Sequence, residues 1–156
     1  MNYPITHSLL EELMTEAIQE AEQAAKAGEV PVGAVIAHKG VIIGRGRNRT
    51  EEDACATHHA EIAAIREASK SLDNWRLTET ILCVTLEPCT MCLGAIRLAR
   101  IPILVFGAGD SKQGAVGSLY DLSQDRRLGK PPRVIQGIKK IECENILRNF
   151  FESIRT

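Results

Sequence analysis

Two short segments constrain this chain more than any other feature, because they contain the histidine, cysteine and glutamate side chains that can together form a catalytic zinc site. Residues 57–61 read Thr-His-His-Ala-Glu, residues 87–92 read Glu-Pro-Cys-Thr-Met-Cys, and residues 62–86 separate them. A catalytic zinc ion takes three protein ligands and leaves its fourth position to water. One histidine and two cysteines match that number, so the fold is expected to bring the two segments together.

The spacing within each segment suggests how the side chains divide the work. Cys89 and Cys92 are three residues apart, so both sulfurs lie on one face if a helix begins there. His59 then supplies the third ligand. Glu61 is too hard and too remote to be the fourth ligand but is well placed to reach water at the metal, and we interpret it as a general acid and base. Together, His-x-Glu and Pro-Cys-x-x-Cys indicate hydrolytic deamination of a nucleobase.

Each segment alone is compatible with other functions. A single Cys-x-x-Cys in a cytosolic chain is also typical of thiol-disulfide redox centres. A structural zinc or RNA-binding module without catalysis is a further alternative. A structural zinc usually has four protein ligands, however, and would leave Glu61 without a role.

Composition predicts an ordinary globular protein without a membrane segment. The chain has 156 residues, of which 44% are hydrophobic and 25% charged, and we expect one domain spanning residues 1–156. No stretch approaches the roughly 20 apolar residues that span a bilayer, and residues 1–18 do not resemble a signal peptide. Five cysteines, an odd number, argue against a secreted disulfide framework. A cytoplasmic location is therefore expected, with Cys83 and Cys143 buried.

Charge gives little guidance about partners. The net charge of −1 provides no overall attraction to nucleic acid. Basic residues cluster in two places. Each cluster is interpreted as solvated surface, or as a set of phosphate contacts if the fold places it near the site. These clusters are Arg45, Arg47 and Arg49, and Arg126, Arg127, Lys130 and Arg133.

Hydrophobic periodicity predicts alternating helices and strands. The first predicted elements are a helix that begins after Ser8 and ends before Gly28, and a hairpin of 32–37 and 41–44. A helix over 58–71 with Thr57 as N-cap, a strand over 80–86 and a helix over 89–99 with Pro88 at its start follow. The last predicted elements are strands at 101–106 and 134–137 and a helix through 146–154. This order predicts an α/β fold, a three-layer α/β/α sandwich around a five-stranded mixed sheet.

The sequence resembles the bacterial tRNA-specific adenosine deaminases, members of the cytidine deaminase-like superfamily, over nearly its whole length. His-x-Glu with Pro-Cys-x-x-Cys marks the superfamily. The segment Asn-Trp-Arg-Leu at 74–77 and the glycine-rich stretch at 107–118 narrow the resemblance to the tRNA branch. Trp75 in that segment is expected to be a structural anchor.

The resemblance implies conversion of adenosine to inosine at the wobble position of a tRNA anticodon. The implied enzyme is a homodimer with one Zn²⁺ per subunit, held by His59, Cys89 and Cys92, and with no organic cofactor. Glu61 is implied as the proton carrier and the tRNA anticodon stem-loop as the partner. The implied substrate contacts are Asn48, Val30, Pro31, Asp110, Lys112 and Phe151.

Each implied contact also has a plainer interpretation. Asn48 could serve a local turn, while Val30 and Pro31 could pack at the entry to a strand. Asp110 and Lys112 could belong to a solvated turn, and Phe151 could belong to the core. A deaminase of a free nucleobase or nucleoside, such as guanine or cytosine, on the same zinc centre is the nearest alternative function. The arginines at 45–49 and the 110–112 stretch favour a polymeric substrate.

Two segments depart from the family pattern. Residues 55–58 read Cys-Ala-Thr-His where Asp-Pro-Thr-Ala is usual, which gives two adjacent histidines. We favour His59 over His58 as the ligand because only His59 keeps the one-residue gap to Glu61, and we expect Cys55 to be a loop residue. Residues 128–130 read Leu-Gly-Lys where Leu-Asn-His is frequent in a loop that touches RNA.

Overall fold

One mixed β-sheet with helices on both faces forms the frame of the molecule. The computed structural model describes residues 2–155. Its elements are α1 (His7–Lys26), β1 (Gly33–His38), β2 (Val41–Arg47), α2 (Ala60–Leu72), β3 (Thr80–Leu86), α3 (Thr90–Leu98), β4 (Ile103–Ala108), β5 (Arg133–Gln136) and α4 (Lys140–Ile154), with a 3₁₀ turn at Arg126–Leu128.

The sheet has the strand order β2-β1-β3-β4-β5. β1 is antiparallel to both β2 and β3, whereas β3, β4 and β5 run parallel. The predicted three-layer sandwich with a five-stranded mixed sheet is confirmed. Among the described residues, no helix is both long enough and apolar enough to cross a bilayer.

Alternation along the strands produces two separate cores. In β3, Leu82 and Val84 pack with residues of α2 and α3, while Ile81 and Cys83 pack with residues of α1 and α4. Successive strand side chains point to opposite faces of a sheet, so a strand buried on both faces is apolar throughout. Cys83 and Cys143 are buried as predicted.

Helix α2 lies unusually close to strand β2, where the sequence provides only small residues. Ala64 and Ala68 face the sheet and are fully buried. A Cβ atom added to Gly46 would come within 2.1 Å of the carbonyl oxygen of Ala60, and one added to Gly44 would come within 2.4 Å of that of Ala64. The position of α2, which carries part of the candidate site, therefore depends on these two glycines.

The starts of three helices differ from the sequence prediction. α1 begins after Thr6, whose hydroxyl accepts a hydrogen bond from the Leu9 N–H, instead of after Ser8. The N-cap of α2 is His59 and not Thr57, because Thr57 pairs its hydroxyl with the Cys55 thiol. The N-cap of α3 is Cys89, so Pro88 precedes the helix and does not form its first residue.

Trp75, which was expected to be a structural anchor, lies at the surface. Its side chain is 52% exposed, and the guanidinium carbon of Arg76 lies 4.2 Å from the centre of its ring. The indole therefore forms a cation–π contact at the surface instead of filling a core position.

We expect Gly46→Ala to lower the free energy of unfolding by about 2 kcal/mol, since the added methyl group has to displace the α2 backbone. Urea denaturation followed by circular dichroism measures the change. Gly94→Ala is the matched control, because an added Cβ there meets no atom within 4 Å and alanine is the better helix former. Equal stability of Gly46→Ala and the wild-type protein would contradict the close packing of α2 on β2.

Candidate zinc site and its cavity

The two segments singled out by the sequence meet where α2 and α3 begin. His59 and Cys89 are the N-cap residues of these helices, both in extended backbone conformation and without a side-chain capping bond. Their side chains are therefore free to turn toward one another. The N-terminal end of a helix carries partial positive charge, so two such ends stabilise thiolates and a carboxylate at this place.

The geometry of His59, Cys89 and Cys92 fits a single zinc ion. The His59 Nδ1 atom lies 3.6 Å from the Cys89 Sγ atom and 3.4 Å from the Cys92 Sγ atom, and all three ligand atoms lie within 4.8 Å of one another. Tetrahedral zinc with ordinary bond lengths separates a nitrogen from a sulfur ligand by about 3.6 Å. The donor set and its spacing therefore both suit the ion.

The structure separates the two adjacent histidines. The His58 Nδ1 atom lies 2.7 Å from the Asp53 Oδ2 atom, so the His58 ring faces the preceding loop. The Cys55 thiol contacts the Thr57 hydroxyl at 3.3 Å and is not part of the ligand group. Only His59 of these three candidates lies beside the two sulfurs.

The protonation behaviour of Cys89 suits metal binding, and that of Glu61 suits proton exchange. Hydrogen bonds from Cys92 and from the His59 ring lower the pKa of Cys89 to about 4, which makes this sulfur a thiolate, the form that binds metals. Glu61 is the second residue of α2 and is 3% exposed. Burial raises the pKa of Glu61 to about 7, so its carboxyl group can both release and accept a proton near neutral pH.

A cavity of about 420 Å³ opens beside these residues. His59, Cys89 and Glu61 form its floor, which is the reactive part. The rest of the lining comes from the segment before β1, the end of β3, the loop after β4 and helix α4, and consists of Val30, Val32, Leu86, Glu87, Gly109, Asp110, Ser111, Lys112, Gln113, Leu147 and Phe151.

Four of the six residues predicted to contact substrate line this cavity, and two do not. Val30, Asp110, Lys112 and Phe151 line it, and Phe151 is 39% exposed and is therefore not a core residue. Pro31 is buried and does not reach the cavity surface. The substrate roles of these residues stay predictions.

Asn48 lies in a local turn. Its amide nitrogen donates to the Val30 carbonyl oxygen at 3.2 Å, and its amide oxygen accepts from the Thr50 N–H at 3.3 Å. An amide group has a second N–H and a second lone pair, so one donor and one acceptor are left over. Asn48 thus shapes the loop next to Val30, and its predicted contact with a base stays a prediction.

The three arginines at 45, 47 and 49 do not contribute to the cavity. Arg45 pairs with Glu16 at 2.7 Å, and Arg47 and Arg49 pair with Glu52 at 3.5 Å and 3.2 Å. None of the three lines the cavity. This cluster is a paired surface and gives no support to the choice of a polymeric substrate, contrary to the expectation from the sequence.

Two buried carboxylates that hold loops were not predicted as site residues: Glu87 holds the loop that lines the cavity, and Glu29 holds the loop that leads to His59. Glu29 is 1% exposed and accepts hydrogen bonds from the N–H groups of Glu51 and Glu52. Glu87 is 3% exposed and binds the loop after β4. The available signal was an acidic residue directly beside an apolar strand segment, where a charge requires local partners.

We expect His59→Ala to reduce bound zinc from about one ion per chain to less than about 0.1, because the ion loses one of three protein ligands. His58→Ala is the matched control and keeps the full amount. Metal analysis of the purified proteins by plasma mass spectrometry measures both. Zinc loss from His58→Ala with retention in His59→Ala would reverse the assignment.

Comparison with known proteins identifies the family. Residues 10–155 match the model of the MafB19-like deaminases. A tRNA-specific adenosine deaminase of Streptococcus pyogenes serotype M1 is 48% identical over 142 residues, covering 91% of this chain and 83% of that protein. A structure from a study of A-to-I editing by tRNA:A34 deaminases has a TM-score of 0.82 at 45% identity and covers 87% of this chain and 99% of its own. The guanine deaminase of Bacillus subtilis has a TM-score of 0.61 at 31% identity, over 76% of this chain and 88% of its own. The chain therefore belongs to the MafB19-like deaminases and to the family of tRNA-specific adenosine deaminases.

Proposed function

We propose that this protein is a zinc-dependent hydrolase that converts adenosine to inosine at the wobble position of a tRNA anticodon. The observation that carries the proposal is the group of His59, Cys89 and Cys92 with Glu61 in one cavity. Three candidate ligand atoms within 4.8 Å of one another, with no fourth in the group among the described residues, suit a catalytic zinc better than a structural one. Similarity at 48% identity to a tRNA-specific adenosine deaminase supports the choice of substrate.

In this reaction, His59, Cys89 and Cys92 would hold the zinc ion and Glu61 would carry the protons. Zinc, when bound, supplies a hydroxide nucleophile at neutral pH by lowering the pKa of water. Glu61 accepts the proton that the water gives up and passes it to the ring nitrogen beside C6. As the hydroxide oxygen bonds to C6, Glu61 transfers the remaining hydroxyl proton to the amino group, so that the C6–N bond breaks, ammonia leaves and the C6 carbonyl of inosine remains. A carboxyl group with a pKa of about 7 suits both directions of transfer.

The cavity walls provide contacts for a flipped nucleotide. Phe151 projects from α4 as a partly exposed ring, on which a base can stack. Among residues 2–155 the Lys112 ammonium group has no ion-pair partner within 4.0 Å, so it is available to a phosphate. Asp110 and Val30 complete the walls, with Asn48 and Pro31 behind them as base-reading and supporting residues.

The proposal includes a homodimer in the cytoplasm, with residues 1–156 as one deaminase domain and no organic cofactor. Leu98 and Leu128 are 77% and 56% exposed, and both line a surface cavity of about 370 Å³ on the outer side of α3. Exposed apolar surface of this kind is typical of a protein interface. A second copy of the chain would cover it.

Substrate class is tested by incubating the purified protein with an adenosine-containing anticodon stem-loop and, separately, with adenosine, cytidine and guanine. We expect inosine from the stem-loop only, because the partly exposed Phe151 and unpaired Lys112 suit a base that belongs to a longer chain. Chromatography of nucleosides and an ammonia assay measure the products. Ammonia from guanine alone would favour the free-base deaminase that is the second candidate.

We expect Glu61→Gln to reduce turnover of the stem-loop at least about 10³-fold, because the amide cannot carry the proton. Bound zinc is expected to stay unchanged, since Glu61 is not a ligand. Glu67→Gln is the matched control on the same helix, at an exposed position, and should leave turnover unchanged. Full turnover by Glu61→Gln would contradict its role as proton carrier.

A further inference from the structure

One carboxylate holds both ends of the loop that forms a wall of the cavity. Residues 109–113, which line the cavity, follow β4, and residues 114–118 lead the chain away again. The Glu87 Oε1 atom accepts from the Asp110 N–H at 3.1 Å and from the Ser118 hydroxyl. The Glu87 Oε2 atom accepts from the N–H groups of Val116 at 2.9 Å and Ser118 at 3.2 Å.

Backbone hydrogen bonds join the same two segments. The Glu87 N–H donates to the Ala108 carbonyl oxygen at 2.8 Å, and the Ala115 N–H donates to the Pro88 carbonyl oxygen at 2.9 Å. Residues 87–88 directly precede the zinc ligand Cys89. The loop is therefore attached to the same short segment that places a ligand, so its distance from the zinc site is fixed.

The charge of Glu87 has no cationic partner among the described residues. Its side chain is 3% exposed, and no lysine, arginine or histidine of residues 2–155 lies within 4.0 Å of its oxygens. A buried charge has to be compensated by hydrogen bonds, and those bonds are charge-assisted and strong. Here all of the compensation comes from the loop.

Gly114 provides an independent sign that the carboxylate is packed into the loop. A Cβ atom at Gly114 would lie 2.3 Å from the Glu87 Oε2 atom and 2.5 Å from the Asp110 carbonyl oxygen. Any side chain at 114 would therefore push the carboxylate out of its position. The carboxylate of Glu87 can therefore occupy its position only because residue 114 is a glycine.

We propose that Glu87 is a positioning residue that fixes the substrate-facing loop 109–118 relative to the zinc ligands and thereby sets the affinity for the nucleotide. The inference rests on the proposed function, because the nucleotide in question is the flipped adenosine. Glu87 does not exchange protons with the substrate in this role. It acts through Asp110 and Lys112, whose places in the cavity wall depend on the loop.

Glu87→Gln tests this inference, since the amide NH₂ group would face N–H donors where an oxygen now accepts. We expect KM for the anticodon stem-loop to rise at least about tenfold while kcat changes less than about threefold, because bound zinc and Glu61 stay in place. Metal analysis is expected to give the same zinc content as the wild-type protein. Amide hydrogen exchange in residues 110–118 should accelerate at least about tenfold, while exchange in 81–86 stays unchanged.

Two further variants keep the test decisive if Glu87→Gln does not fold. Gly114→Ala should raise KM in the same way without removing a charge, and Ser118→Ala, which removes one of four donors, should have a smaller effect of the same kind. Glu79→Gln is the matched control, because Glu79 lies just before the opposite end of β3 and is exposed. It should leave KM, kcat and loop exchange unchanged.

Several results would contradict the positioning role of Glu87. Zinc loss from Glu87→Gln, or a fall in kcat with unchanged KM, would overturn the inference and assign Glu87 to support of the metal ligands. Unchanged exchange in residues 110–118 would overturn it as well. If the wild-type protein deaminates no stem-loop, the proposed function is wrong, and the exchange measurements still decide whether Glu87 holds the loop.

Discussion

The candidate zinc site requires that three ligand atoms from two segments distant in sequence lie close enough to bind one ion. Much of the fold positions these atoms. His59 and Cys89 are both helix N-caps, so the places where α2 and α3 start determine where the ligands lie. α2 is held by its close approach to Gly44 and Gly46 of β2, and α3 follows directly from the buried strand β3. The metal site therefore depends on apolar packing that contains no functional residue.

The walls of the cavity are held by a different kind of interaction. The loops around it are polar, and buried carboxylates bind their backbone N–H groups. Glu87 holds the loop after β4, which lines the cavity, and Glu29 holds the loop after β2, which leads to His59. Charge-assisted hydrogen bonds of this kind give a loop a definite position without an apolar core beneath it. A wall that is already in place costs less ordering free energy when a nucleotide enters.

The sequence predicted the parts of the molecule that are determined by local pattern. Short runs of β-branched and other apolar residues predicted the strands, and the spacing of His59, Cys89 and Cys92 predicted that they meet. The starts of the helices depend on which side chain caps which N–H group. Thr57 does not cap α2, because its hydroxyl contacts the Cys55 thiol. Arg45 was misjudged because its partner Glu16 lies on α1, distant in sequence. Long-range pairing of this kind leaves no signature in the local pattern.

The departure from the family pattern at residues 129–130 can be located in the fold, and its place limits what it can affect. Gly129 and Lys130 line a surface cavity with Ile101 and Pro102, just before β4 begins. The catalytic cavity includes Gly109, just after β4 ends. The six residues of β4 rise about 3.3 Å each, so roughly 20 Å separate the two places. The change at 129–130 therefore lies at the opposite end of β4 from the cavity that holds His59, Cys89 and Glu61, and it alters no residue of that cavity.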